Sequence, residues 1–244
     1  MVKRKLKSRK SKPRVLKSTR AKVKPNPQPT EQPPVEKTSS NFDLTKLNKF
    51  QDALNEVGNM GAGKASGVLS RKLNKAVNLT VPGIYLTPIE NVPNLVGGSK
   101  ELVVSAYSSL TGDLNGTVMT IFPVDSARKI VDVLSKKKLG TTATLAKMDQ
   151  AKLRSIGDEI SKAYLAAIKS FLKIKITPSS QRIVSTFGES LVDLVLLGVK
   201  ERYALLLKTE FTIEGDVKGD FVLLLAIDSI SNIVDAIGKQ LGDN

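Results

Sequence analysis

Between Thr45 and Leu73 the apolar residues Leu47, Phe50, Leu54, Val57, Val68, Leu69 and Leu73 recur at helical spacing, and the spacing predicts one long helix. Asp43 or Thr45 is placed to cap its start. Beyond it the period changes to two. Ala76 to Pro82 alternates as a strand does, and Ile84 to Pro88 continues extended. Asn91 to Ser99, with Pro93 and Gly97-Gly98, reads as a loop. Leu102 to Leu110 and Thr117 to Phe122 read as two strands of a hairpin turned by Gly112-Asp-Leu-Asn-Gly116. Val124 to Lys136 is a short amphipathic helix with Asp125 near its start.

The same order then returns. A second long helix runs through Leu153, Ile156, Tyr164, Leu165, Ile168 and Phe171. Leu172 to Pro178 and Tyr203 to Phe211 read as strands, Gly215-Asp-Val-Lys-Gly219 as the turn, Phe221 to Ile227 as the returning strand, and Asp228 to Leu241 as a final helix. The two Gly-Asp-x-x-Gly turns stand 103 residues apart, as do Ile130-Val-Asp132 and Ile233-Val-Asp235. The front halves align at an offset of 99, which sets Gly58 on Gly157. A helix–strand–strand–strand–helix unit has been duplicated, over about 43–136 and 149–241. Hairpins beside long helices imply an α+β layer fold. The near-continuous apolar strands 204–207 and 221–227 imply burial on both faces, or a sheet shared between the repeats. The expected architecture is pseudo-two-fold, with both long helices on one side of a shared, mainly antiparallel sheet.

Within the first long helix, Asp52, Glu56 and Asn59 fall on one stripe that the apolar residues do not share. Gly58, Gly61 and Gly63 stand in the same turns, and each costs a helix interior about 1 kcal/mol against Ala. Close approach of another backbone is the usual reason. The stripe therefore reads either as a solvated helix face or as a docking surface for a partner. The duplication offers a comparison. At the offset of 99, Asp52 meets Ala151, Glu56 meets Ser155 and Asn59 meets Asp158, while Gly61 meets Ile160 and Gly63 meets Lys162. A stripe that folding required would persist in both copies.

Composition narrows the chemistry. The 244 residues contain no Cys and no His, which removes disulfides, thiolate metal sites and the commonest general base. Of the net charge of +15, residues 1–40 carry +11, from thirteen Lys and Arg against Glu31 and Glu36. That segment also holds six of the eleven prolines and no aromatic residue, and reads as a disordered tail. It is either merely solvated or a tether to nucleic acid or an anionic membrane surface. No apolar run approaches the roughly 20 residues that span a bilayer, and no apolar core of a signal peptide follows the basic N-terminus. The expected location is the cytoplasm.

The run Asp52…Glu56…Asn59 followed by Pro82, with Val57-Gly-Asn-Met-Gly-Ala-Gly-Lys-Ala65 around it and Leu110-Thr-Gly-Asp-Leu-Asn-Gly116 in the hairpin, resembles the signature of the CheC family of chemotaxis phosphatases, the CheC, CheX and FliY type. The resemblance spans about residues 42–241 and includes the duplication. It implies hydrolysis of the aspartyl phosphate on the response regulator CheY. The receiver would bring the phosphoryl group and a Mg²⁺, so the phosphatase needs no cofactor or metal of its own. Glu56 would pair with a lysine of the receiver, and Asn59 would orient a water in line with phosphorus. Asp52, Gly58, Gly61 and Gly63 would support the docking surface. In the second copy, Ala151, Ser155 and Asp158 depart from the signature, and Pro178 comes earlier than its spacing, so that site is expected to be degenerate. The family also implies the deamidase CheD as a partner. The alternative on the same scaffold is a non-catalytic adaptor or switch component that holds a receiver or CheD without turnover.

Overall fold

The computed structural model describes residues 51–96, 100–196, 203–214 and 216–241. The basic tail, the capping residues Asp43 and Thr45, the Gly97-Gly98 pair and Gly215 lie outside the described residues.

The first long helix, α1 (Gln51–Leu73), is followed by β1 (Val77–Pro88), a 3₁₀ turn (Ile89–Asn91) and the short α2 (Val92–Leu95). The hairpin is β2 (Leu102–Gly112) and β3 (Gly116–Pro123), and α3 (Val124–Leu134) closes the first repeat. The second repeat begins with α4 (Lys147–Leu172), whose Asp149 carboxylate accepts the Ala146 N–H at the helix start. Then come β4 (Ile176–Pro178), β5 (Arg182–Phe187) and α5 (Gly188–Leu196). The chain continues through β6 (Tyr203–Ile213) and β7 (Val217–Ala226) to α6 (Ile227–Leu241).

The predicted duplication is present in the order of the elements. β1 is irregular between Thr80 and Gly83, and the same place in the second repeat is the break between β4 and β5, at the same offset of 99. Both long helices end in a left-handed residue, Asn74 and Lys173, again at that offset. Three sequence expectations need correction. Asn91–Ser99 is not wholly loop, because it contains α2; the strand expected from Leu172 starts only at Ile176, because α4 runs to Leu172 and turns at Lys173; and β5 and α5 were not foreseen. No residue of β5 is fully buried, and an edge strand without a fully buried face leaves little apolar period to detect.

The strands form one antiparallel sheet in the order β1-β6-β7-β3-β2-β4, with β5 also paired to β2. Each repeat lends its leading strand to the other. β1 pairs with β6 of the second repeat, while β4 and β5 pair with β2 of the first. The sheet is thus shared, as the apolar strands predicted. Side-chain alternation then sorts the core into two layers. Phe221, Leu223 and Leu225 of β7 face one side, with Leu54 of α1 and Ile156 of α4. Val222 and Leu224 face the other, with Val92 of α2 and Leu191 of α5. The long helices, with α3 and α6, lie on one side, and α2 and α5 lie on the opposite side. Among the described residues no helix is long and apolar enough to cross a membrane.

α1 and α4 run antiparallel against each other. Gly61 meets Tyr164, whereas Lys72, eleven residues later, meets Ser155 and Glu159, at lower numbers on α4. Two other contacts fix this layer. Ser66 donates to the Val77 carbonyl at 2.5 Å, tying α1 to β1. A methyl at Gly157 would stand 2.5 Å from the Ala106 Cβ, so glycine there lets α4 lie directly on β2.

Candidate functional site

The buried residues of α1 are Leu54, Val57, Ala62, Ala65, Leu69 and Leu73, a ladder at three- and four-residue steps. This ladder fixes the rotation of the helix about its axis. Glu56 and Asn59 consequently fall on the outer side, and both are exposed. Residues three apart on a helix are surface neighbours, with Cβ atoms about 5–6 Å from each other. The carboxylate and the carboxamide therefore present themselves together. Among the described residues, the Glu56 side chain makes no ion pair and the Asn59 side chain no hydrogen bond. Asp52 lies in the first described turn of α1, one turn before Glu56; its side chain lies outside the described residues, as does that of Pro82.

The glycines divide, and two of the three do not form an open docking surface. Gly58 is buried. Gly61 is buried too, and a methyl there would stand 2.7–2.9 Å from three ring carbons of Tyr164. The group that approaches Gly61 is a side-chain ring from the chain's own second long helix, not the backbone of another element. The Tyr164 ring stacks on Phe221 at 4.3 Å, and its hydroxyl shares a hydrogen bond with Thr209 Oγ1 at 3.1 Å. Burial pushes the Tyr164 phenol above its ordinary pKa, against the opposing effect of the Thr209 hydrogen bond. The internal two-fold relates Gly61 and Tyr164 to Ile160 and Ala65, both fully buried. A glycine–tyrosine pair on one side is matched by an isoleucine–alanine pair on the other. The absence of glycine at 160 is thus a matter of packing volume. Gly63 alone is exposed, with open space where a methyl would go, four residues beyond Asn59 on the same face.

The second stripe is engaged differently. Ala151 and Ser155 are exposed and Asp158 is half-buried. Asp158 holds Lys162 in an ion pair of 2.6 Å, and Lys162 stands where the first repeat has the open Gly63. That hydrogen bond and the Asp158 charge raise the Lys162 pKa. Lys72 reaches across from α1, donating to Ser155 Oγ at 3.0 Å and pairing with Glu159. Both polar positions of the second stripe therefore already have a cation from the chain itself. Sequence reading did not single out Lys72, Tyr164 or Asp132. Lys72 and Tyr164 act through contacts far along the chain, and Asp132 through a loop eight to ten residues on, none of which helical or strand periodicity reports.

Asp132 is fully buried at the inner end of α3. Its carboxylate accepts N–H bonds from Gly140, Thr141 and Thr142 and the Thr142 hydroxyl, at 2.6–3.0 Å. Burial by itself raises its pKa; the four hydrogen bonds outweigh that and hold the carboxyl below its ordinary value. The group anchors the link between the two repeats. Among the described residues, no three His, Cys, Asp or Glu side chains gather into a set that could hold a metal ion.

Residues 51–86 match the model of the CheC-like family, so the stripe, Pro82 and most of β1 lie in the matched segment. The CheY-P phosphatase CheC of Bacillus subtilis is 26% identical over 200 residues, which cover 78% of this chain and 94% of that protein. Among solved structures, Thermotoga maritima FliY superposes with a TM-score of 0.65 at 17% identity, over 82% of this chain and 100% of that one. The FliG–FliM complex from H. pylori gives a TM-score of 0.59 at 11% identity, over 80% and 100%. These two likenesses speak to the fold: a duplicated α+β scaffold with a shared antiparallel sheet. The resemblance read in the sequence is borne out by the family match and by the CheC relative together.

Proposed function

We propose that this chain is a chemotaxis phosphatase that hydrolyses the aspartyl phosphate of a CheY-type receiver, with Glu56 and Asn59 as its working residues. The observation that carries the reading is the exposure of these two side chains, one turn apart on α1, inside the segment that matches the family model. The likeness to the B. subtilis CheY-P phosphatase supports the substrate class.

The chemistry asks little of the protein beyond position and charge. The receiver supplies the phosphoryl group and the Mg²⁺ that balances its charge. Glu56, a carboxylate on a rigid helix, pairs with a lysine of the receiver and sets the register of docking. Asn59 inserts its carboxamide, whose oxygen accepts a hydrogen bond from a water and holds it opposite the leaving carboxylate. The water oxygen bonds to phosphorus as the acyl–phosphate bond breaks. Inorganic phosphate and the free aspartate are the products. Holding the water in line converts a bimolecular encounter into an oriented one. A neutral amide suits the place, because a carboxylate at a few ångströms would repel the phosphoryl oxygens.

The second repeat is silent in this reading. Ser155 has no charge to pair with a receiver's lysine, and Lys72 stands beside it. Asp158 is anionic where the amide should be, and Lys162 covers it.

The test is the decay of a phosphorylated receiver in Mg²⁺. Asn59→Ala should cut kcat about 100-fold, the usual cost of removing one group that acts only in the transition state, while binding persists. Glu56→Ala should raise KM about tenfold, the cost of a lost charge pair at an interface. Wild-type turnover in both variants, with receiver binding retained, would leave the adaptor reading in its place.

A further inference from the structure

The fold builds one cleft twice. In each repeat it lies between the end of a long helix and the helix that follows the hairpin. The first, of about 580 Å³, is floored by Leu73, Val133, Leu134 and Leu139 and rimmed by Lys72, Lys75, Lys136 and Lys137. Its two-fold mate, of about 380 Å³, is lined at the equivalent positions by Leu172, Ala236, Ile174 and Lys239. The mate also has Asp113 and Asp235 on its wall against Lys173 and Lys239, so its charges balance. Among the described residues, the first cleft has no acid on its lining. The reason is visible in the fold. Asp132, the counterpart of Asp235, is turned inward to hold residues 140–142. The same scaffold stands with either lining, so folding does not require the basic one.

Of the four lysines, Lys72 pairs with Glu159 and Lys75 with Glu214. Lys136 and Lys137 are exposed and form no ion pair with a described residue, and Lys138 extends the run. Lysine at a helix C-terminus interacts favourably with the helix dipole, but one residue serves that purpose, as Lys239 does in α6. Leu139, 42% exposed, projects an apolar side chain among these charges.

We infer that the cleft between α1 and α3 docks an acidic peptide segment of a partner protein, with an apolar side chain of that segment seated on Leu139, Val133 and Leu134. Carboxylates on either side of the anchor meet Lys136 and Lys137. A purely polyanionic ligand would use the rim and leave the apolar floor unfilled. Residues 1–40 of this chain, at +11, have the wrong sign to be the occupant. The volume is within the range of pockets that enclose small ligands and short side-chain clusters.

The probe is a short fluorescein-labelled peptide of glutamates bearing two leucines, titrated by anisotropy onto the full chain. Any contribution of the basic tail is common to all variants. Lys136→Glu with Lys137→Glu should weaken binding about tenfold or more, equivalent to about 1.4 kcal/mol. Lys173→Glu with Lys239→Glu, at the mate, should leave it within about twofold. Leu139→Asn should weaken the leucine-bearing peptide and leave an all-glutamate peptide unchanged. Should the double variant fail to fold by circular dichroism, Lys137→Glu alone and Leu139→Asn decide the matter. Equal losses at the two clefts, equal affinity for the all-glutamate peptide, or tighter Lys136- and Lys137-dependent binding of duplex DNA would each overturn the inference.

Discussion

Two glycines two residues apart on α1 should respond to the same substitution with opposite signs. At Gly61 an alanine methyl would lie 2.7–2.9 Å from the Tyr164 ring. The ring cannot retreat easily, because Phe221 stacks on it and Thr209 holds its hydroxyl. Overpacking of this kind costs about 1–3 kcal/mol. Replacing a helix-interior glycine returns about 1 kcal/mol through backbone entropy. Gly61→Ala should therefore be destabilising by about 0–2 kcal/mol. At Gly63 nothing lies within 4 Å of the added methyl, so only the entropy gain operates. Gly63→Ala should stabilise by about 1 kcal/mol. Propensity cancels in the comparison, and the separation of about 1–3 kcal/mol isolates the Tyr164 contact. At about 2–4 °C per kcal/mol for a chain of this size, the melting temperatures should differ by at least about 2 °C. Thermal and urea denaturation followed by circular dichroism measure this. A Gly61→Ala variant as stable as Gly63→Ala would refute the packing account of Gly61. The phospho-receiver assay adds a second reading: Gly63→Ala keeps the fold but should raise KM if the receiver approaches the face beyond Asn59.

Asp132→Ala should destabilise by about 2–4 kcal/mol, since it strands three backbone N–H groups of the link between repeats. The folded pKa of Asp132 is depressed, so its contribution is complete above the unfolded value of about 3.9 and is lost as pH falls through the folded value. The stability gap between wild type and Asp132→Asn should accordingly narrow below about pH 4 in urea titrations. Tyr164→Phe should cost about 1 kcal/mol, because Thr209 Oγ1 keeps its burial and loses its partner. Ser155→Glu with Asp158→Asn, placed in an Asn59→Ala background, should not restore turnover: Lys72, already beside Ser155, would take the new carboxylate for itself. Recovery of activity without a change at Lys72 would contradict that account.

The periodicities by themselves determined the duplication, the long helices and the hairpins, because each is encoded in local alternation that recurs at a fixed offset. They also placed Glu56 and Asn59 on the outer face of α1, since the helical period and the apolar ladder leave them no other side. What they did not determine is which partner each residue meets. The glycines signalled a close approach, yet only the antiparallel packing of α1 on α4 shows that Tyr164 makes it at Gly61 and that Gly63 alone stays open. The strand exchange between repeats was equally hidden, because β1 is an edge strand whose pairing depends on how the two units interleave. Ile130-Val-Asp132 and Ile233-Val-Asp235 are the same three residues, but Asp132 is buried and Asp235 is exposed. Identical local sequence fixes a helix face; whether a carboxylate on it becomes an anchor or a cleft wall depends on whether the chain returns to supply its hydrogen bonds, and that is decided only in three dimensions.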